Sequence, residues 1–173
     1  MAQAKSPNSK SLQHVKLGAL GILLKDFSYA EQHYKNALAI DSTYSQAIRG
    51  MGYLFAEQNR FIEAQKYALQ AVGLDSSFAN FNLAAWISVT GEIDITSGIA
   101  LAEKARASKP DFWAQRFETY PYLAIPEHTI GLAYLKKGEY KKAVQYLERA
   151  AGFAPERQAV LNDLQRAKMR ANE

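Results

Sequence analysis

Three histidines, His14, His33 and His128, are the side chains best suited to metal or proton-transfer chemistry in this sequence. None has a second histidine or an acid at metal-ligand spacing on an obvious shared face, so each is expected to be a surface or groove residue and not a ligand. There is no cysteine, which removes a thiol nucleophile, an iron–sulfur cluster and a disulfide framework. The glycines are dispersed and form no phosphate-cradling loop. No Gly-x-Ser-x-Gly elbow is present. The carboxylates follow helix caps and exposed faces. The expectation is a protein that is not an enzyme, with no catalytic residue, no cofactor and no metal.

The charge distribution narrows the partners. The net charge is +4, from 21 Lys+Arg and 17 Asp+Glu. Residues 1–16 carry Lys5, Lys10 and Lys16 and no acid; residues 17–135 carry 9 basic and 12 acidic groups; residues 136–173 carry 9 basic and 5 acidic. A nucleic-acid binder gathers its cations on the face that meets phosphate, whereas these sit at the chain ends, so no nucleic acid is expected. The apolar run Leu17–Leu24 lacks a cleavage site after it and is far shorter than the ~20 residues that span a bilayer. It reads as a core helix, with no membrane insertion expected. A cytoplasmic location is the expectation, with the periplasm left open. With 48% hydrophobic and 22% charged residues in 173, the chain fits one ordinary folded domain. Residues 1–10, rich in Ser, Asn, Lys and Ala, read as a disordered tail.

The elements come from an internal period of 34. Ala30, Ala64 and Gly98 share one column, and Ala37, Ala71 and Ala105 share another seven residues later. Phe27, Phe61 and Ile95 form an apolar column; Gly18, Gly52 and Trp86 open the units, and Ser42, Ser76 and Pro110 close them. A further unit holds Gly131, Tyr134, Gly138, Tyr140, Ala143, Leu147, Ala150 and Pro155. Small columns seven apart stay on one helix face and allow two antiparallel helices to approach closely. Asp26 and Asn59 fit as N-caps of second helices. Pro126 suits the first turn of the last unit's opening helix. Trp86 stands where its neighbours have glycine and Gly98 where they have alanine. Room at Gly98 is therefore expected to accommodate the indole, and Gly98→Ala to destabilise.

These columns resemble the tetratricopeptide repeat. Residues 124–157 match best, through Ile130-Gly131, Tyr134, Ala143, Leu147, Ala150 and Pro155. The resemblance implies an all-α, right-handed superhelical solenoid of helix-turn-helix units at 11–44, 45–78, 79–112 and 124–157. An aromatic insertion lies at 113–123, with Trp113, Phe117, Tyr120 and Tyr122. It is expected either to patch the junction between the third and fourth units or to present an aromatic patch to a partner. Residues 158–173, with Val160, Leu161, Leu164 and Ala167 on one face, are expected to cap the solenoid.

The resemblance further implies a concave wall made by the first helix of each unit, holding a peptide or helix of another protein. Carried over by column, the partner-binding residues are Lys16, Arg49, Tyr53, Asn80, Leu83, Ile87, His128, Leu132 and Lys136. The wall would seat apolar side chains and pair with an acidic group. The columns that in some family members grip a chaperone's terminal carboxylate hold Val15, Ala19, Gly50, Asn80 and Ala84 here, so no such grip is expected. The leading reading is an adaptor or scaffold. Its alternatives are a secretion-type chaperone that shields an apolar client segment and a regulatory or assembly domain of a larger protein. Self-association through the terminal helix or the groove is a further use.

Overall fold

A computed structural model describes residues 8–108 and 122–173. The described residues form nine α-helices: α1 (Ser9–Leu23), α2 (Phe27–Ile40), α3 (Ser45–Glu57), α4 (Phe61–Leu74), α5 (Phe78–Thr90), α6 (Ile95–Ala107), α7 (Ala124–Lys136), α8 (Tyr140–Phe153) and α9 (Gln158–Ala171). No strand occurs among them. The chain divides into two compact units, Met1–Ser76 and Ser77–Glu173. Trp113, Phe117 and Tyr120 of the aromatic insertion, and the proposed tail up to Pro7, lie outside the described residues.

Four tight turns, α1–α2, α3–α4, α5–α6 and α7–α8, share one backbone device. Each holds a residue in the left-handed region: Lys25 (φ 58°), Asn59 (φ 59°), Glu92 (φ 52°) and Gly138 (φ 75°). The N–H groups around it close on the carbonyls of the helix just ended. Lys25 donates to Ile22 and Asp26 to Gly21; Asn59 donates to Ala56 and Arg60 to Phe55. The same pair of bonds joins Glu92 to Val89 and Ile93 to Ser88, and Gly138 to Leu135 and Glu139 to Tyr134. This is a Schellman closure, which satisfies the carbonyls a helix end leaves without partners. Asp26 caps α2, its carboxylate accepting from Tyr29 N. Asn59 is not the N-cap expected of it: it supplies the left-handed turn, and Arg60 takes the cap position of α4. Asparagine tolerates both roles, which is why sequence alone did not separate them.

In the first unit the helices meet at small residues. A Cβ on Gly21 would lie 2.8 Å from the backbone N of Ala30, so α1 and α2 touch there almost main chain to main chain. The Tyr34 ring of α2 fills the next space. It lies over Gly18 of α1, where a Cβ would come within 2.7 Å of it, and against Gly50 of α3, where a Cβ would overlap it outright. Ala37, Tyr44 and Ala47 continue this core, with Val15 and Leu38 packed on them. Tyr34 therefore joins three helices through two glycines.

The second unit repeats the logic with other residues. Gly131 of α7 meets Leu147 of α8, and Gly98 of α6 meets α5. The atoms nearest to Gly98 belong to Val89, Ser88 and Ala85, and not to the expected Trp86. α9 packs on α8 and α7, with Ala167 in a cluster formed by Leu135, Ala143 and Leu147, and Leu164 against it. α5 differs from the other first helices. Its residues are apolar almost all round, and ten of its thirteen are buried, as such a helix requires.

Gly50→Ala should cost about 1–3 kcal/mol, because the added methyl must displace a ring already held by Gly18. Gly73→Ala has open space around it and should be neutral or gain up to about 1 kcal/mol from helix propensity. Urea unfolding of the two variants checks the contrast; equal effects would refute the close-approach argument.

Candidate functional site

The first unit keeps its candidate recognition residues accessible. Lys16 is exposed on α1. Arg49 is half-buried on α3, and Tyr53, one turn further along, is 43% exposed. The two helices pack against each other. Around them lies a tyrosine cluster. Burial pushes the Tyr34 phenol up to about 12, against the pull of the nearby Arg49 charge and with a further push from Tyr53. Burial also raises Tyr44, again opposed by Arg49, with Asp41 pushing upward; its hydroxyl donates to Gln46 Oε1 at 2.8 Å. The Arg49 charge thus sits among phenols held neutral. A cation beside a half-exposed aromatic ring can grip a carboxylate while the ring takes an apolar neighbour.

The second unit treats its candidates differently. Asn80, Leu83 and Ile87 are at most 1% exposed, which corrects the expectation that they line a binding wall. The column placed them there because each is homologous in position to a first-helix residue, but α5 has no polar face to turn outward. His128 Nε2 lies 2.8 Å from Asp163 Oδ2, tying α7 to α9, and Arg166 donates to the other carboxylate oxygen at 2.9 Å. Leu132 is packed against the core cluster of Leu135, Ala143, Leu147 and Ala167. Lys136 Nζ contacts Glu92 Oε1 at 2.6 Å, joining the end of α7 to the α5–α6 turn. These three hold the unit together.

Two arrangements had no counterpart in the sequence reading. His14 Nδ1 and His33 Nδ1 lie 2.8 Å apart across α1 and α2, with the Tyr29 ring edge-on to His33 at 4.3 Å. The two histidines do share a site, contrary to expectation; one hint is that His14 falls one turn before Gly18, the residue that faces α2. No group of three or more metal-ligating side chains occurs among the described residues. In the second unit, Glu127 is 5% exposed and lies between Arg106 (3.3 Å) and Arg149 (3.4 Å). Arg149 also stacks over Tyr146 at 4.1 Å. This ionic knot joins α6, α7 and α8.

Residues 128–157 match the Tetratricopeptide repeat family. The fold is that of tetratricopeptide repeat proteins. The structure resembles the crystal structure of PilW, a type IV pilus biogenesis factor, with a TM-score of 0.83 and 22% identity, covering 95% of this chain and 71% of that one. It resembles Pseudomonas aeruginosa PilF with a TM-score of 0.77 and 15% identity, covering 97% and 76%. YrrB, a tetratricopeptide protein with an unusual peptide-binding site, matches at a TM-score of 0.52 and 17% identity, covering 88% and 90%. No curated protein matches the sequence. At these identities the likeness is one of fold, and a tetratricopeptide fold supports a role as a scaffold for protein–protein interaction. Among the described residues no helix is long and apolar enough to cross a membrane.

Because Tyr34 holds its proton more tightly when folded, its contribution is fully present below pH 10 and is lost as pH rises through about 12. Tyr34 should account for about 1.4 kcal/mol of lost stability per pH unit across that window, a share of the alkaline decline that Tyr34→Phe removes in urea titrations. His128→Ala should cost about 1 kcal/mol and speed amide exchange in α9, while exchange in α1 and α2 stays unchanged.

Proposed function

We propose that the protein is a non-enzymatic interaction module that binds a peptide or helix of a partner protein on the α1–α3 face of its first unit. The observation that carries the reading is the contrast between the two sets of first helices. Lys16, Arg49 and Tyr53 stand on helices that keep polar and aromatic groups in reach of solvent. Leu83 and Ile87, at the positions of α5 that correspond to Arg49 and Tyr53, are sealed in the core, as is Asn80 one turn earlier. Two cations and a tyrosine favour a segment that offers an acidic side chain beside an apolar one. Arg49 supplies a fork suited to a carboxylate, and Tyr53 supplies stacking area at low entropic cost.

The test compares capture of partners from source cells by the wild type and by a Lys16→Glu, Tyr53→Ala double variant. These positions are chosen because both are exposed, whereas Arg49 is half-buried and changing it would also disturb the packing around it. Both proteins must show the same helical circular dichroism. A partner cross-linked to the wild type and reduced at least about tenfold with the variant supports the groove; partners captured equally by both place recognition elsewhere and overturn it.

A further inference from the structure

We propose that the outer edge of α1 is a docking ridge for an acidic amphipathic helix of a partner protein. α1 buries Ser11, Gly18 and Gly21, and its opposite side is left bare. Leu20 is 44% exposed, Leu23 79% and Leu24 68%. Their spacing, i, i+3 and i+4, makes one row on the helix surface, the arrangement that a second helix packs against by ridges and grooves. Single exposed leucines are ordinary, but a contiguous row is an interaction surface in waiting.

The charges around the row define its occupant. Lys16 lies one turn before Leu20, and Lys25 follows Leu24 directly; both are exposed. From Ser9 to Leu24 there is no acidic residue. Asp26, just beyond, is engaged by the Tyr29 backbone N–H as the cap of α2. The ridge is thus three leucines with one cation before them on the helix and one just after them at the turn. Its complement is a helix with an apolar i, i+3, i+4 row and an Asp or Glu on either side. The C-terminal end of α1 carries partial negative charge, which favours the N-terminal end of the incoming helix there and sets an antiparallel crossing. An anionic membrane would match the lysines equally well. However, interfacial helices bury a broad apolar face, whereas this row is narrow and Gln13 beside it is exposed and polar. The ridge shares Lys16 with the α1–α3 face but needs nothing from α3, so the two readings can fail separately.

The probe is a synthetic helical peptide with a leucine i, i+3, i+4 row flanked by glutamates, followed by fluorescence anisotropy on the full chain. A second peptide carries lysines in place of the glutamates. The expected result is binding of the acidic peptide alone, weakened several-fold by added salt and at least about tenfold by Leu20→Ser, Leu23→Ser. Tyr53→Ala should leave that binding unchanged, which separates the ridge from the groove. Because the substituted leucines are exposed, circular dichroism should show an intact fold. Equal binding of both peptides, or of neither, overturns the proposal. So does binding of phosphatidylserine-containing vesicles that Leu20→Ser, Leu23→Ser abolishes while the acidic peptide fails to bind. A sedimenting dimer that the same variant dissociates would assign the ridge to a second copy of the chain and overturn it as well.

Discussion

A tyrosine ring pressed between two glycines governs the first half of this molecule. Without side chains at Gly18 and Gly50, α1 and α3 can both close on Tyr34, and the ring then fills a space that would otherwise be a cavity large enough to cost several kcal/mol. The same principle operates with aliphatic partners at Gly131 and Leu147. Close approach brings main chain near main chain, as at Gly21 and Ala30, and leaves little room for drift in the relative rotation of the helices. Rotation is what sets the accessible faces: with Gly18 turned inward, Lys16, Leu20 and Leu23 must turn outward.

The candidate site inherits its chemistry from that packing. Arg49 lies on the same helix as Gly50, so the residue that clamps the ring and the residue that would meet a partner are adjacent in sequence and about 100° apart around the helix. Tyr34 remains neutral because burial disfavours its phenolate; the cationic character of Arg49 is thus not cancelled by an internal anion from this ring. In the second unit the corresponding polar groups were diverted to structural use. His128, Lys136 and Glu127 each reach another helix or turn of that unit and hold it there.

Much of this architecture was legible in the residues, for definite reasons. The alanine columns report helix contacts directly: Ala30, Ala64, Ala37, Ala71 and Ala105 are all fully buried. Asp26 announces a cap because a short carboxylate there has a specific backbone donor to meet. What the columns do not carry is which face of a first helix remains open. Column matching treated Leu83 and Ile87 as equivalents of Arg49 and Tyr53, although the composition of α5 contained the warning: a helix with apolar residues on every side has no face for water. The His14–His33 contact escaped because it joins residues 19 apart on different helices, a distance at which no local spacing rule applies. Glu127 escaped because its arginine partners come from two other helices.

The four turns carry a consequence for how such a chain can change. Only Gly138 meets its left-handed geometry without a side chain; Lys25, Asn59 and Glu92 hold the same geometry with one. For lysine and glutamate that conformation costs on the order of 1 kcal/mol, met by the closing backbone bonds and the helices they join. The fold therefore stands somewhat below the stability its own backbone permits. That margin sits at solvent-facing corners; at Lys25 it lies within the α1 ridge, so a substitution that draws on it there also alters a recognition surface.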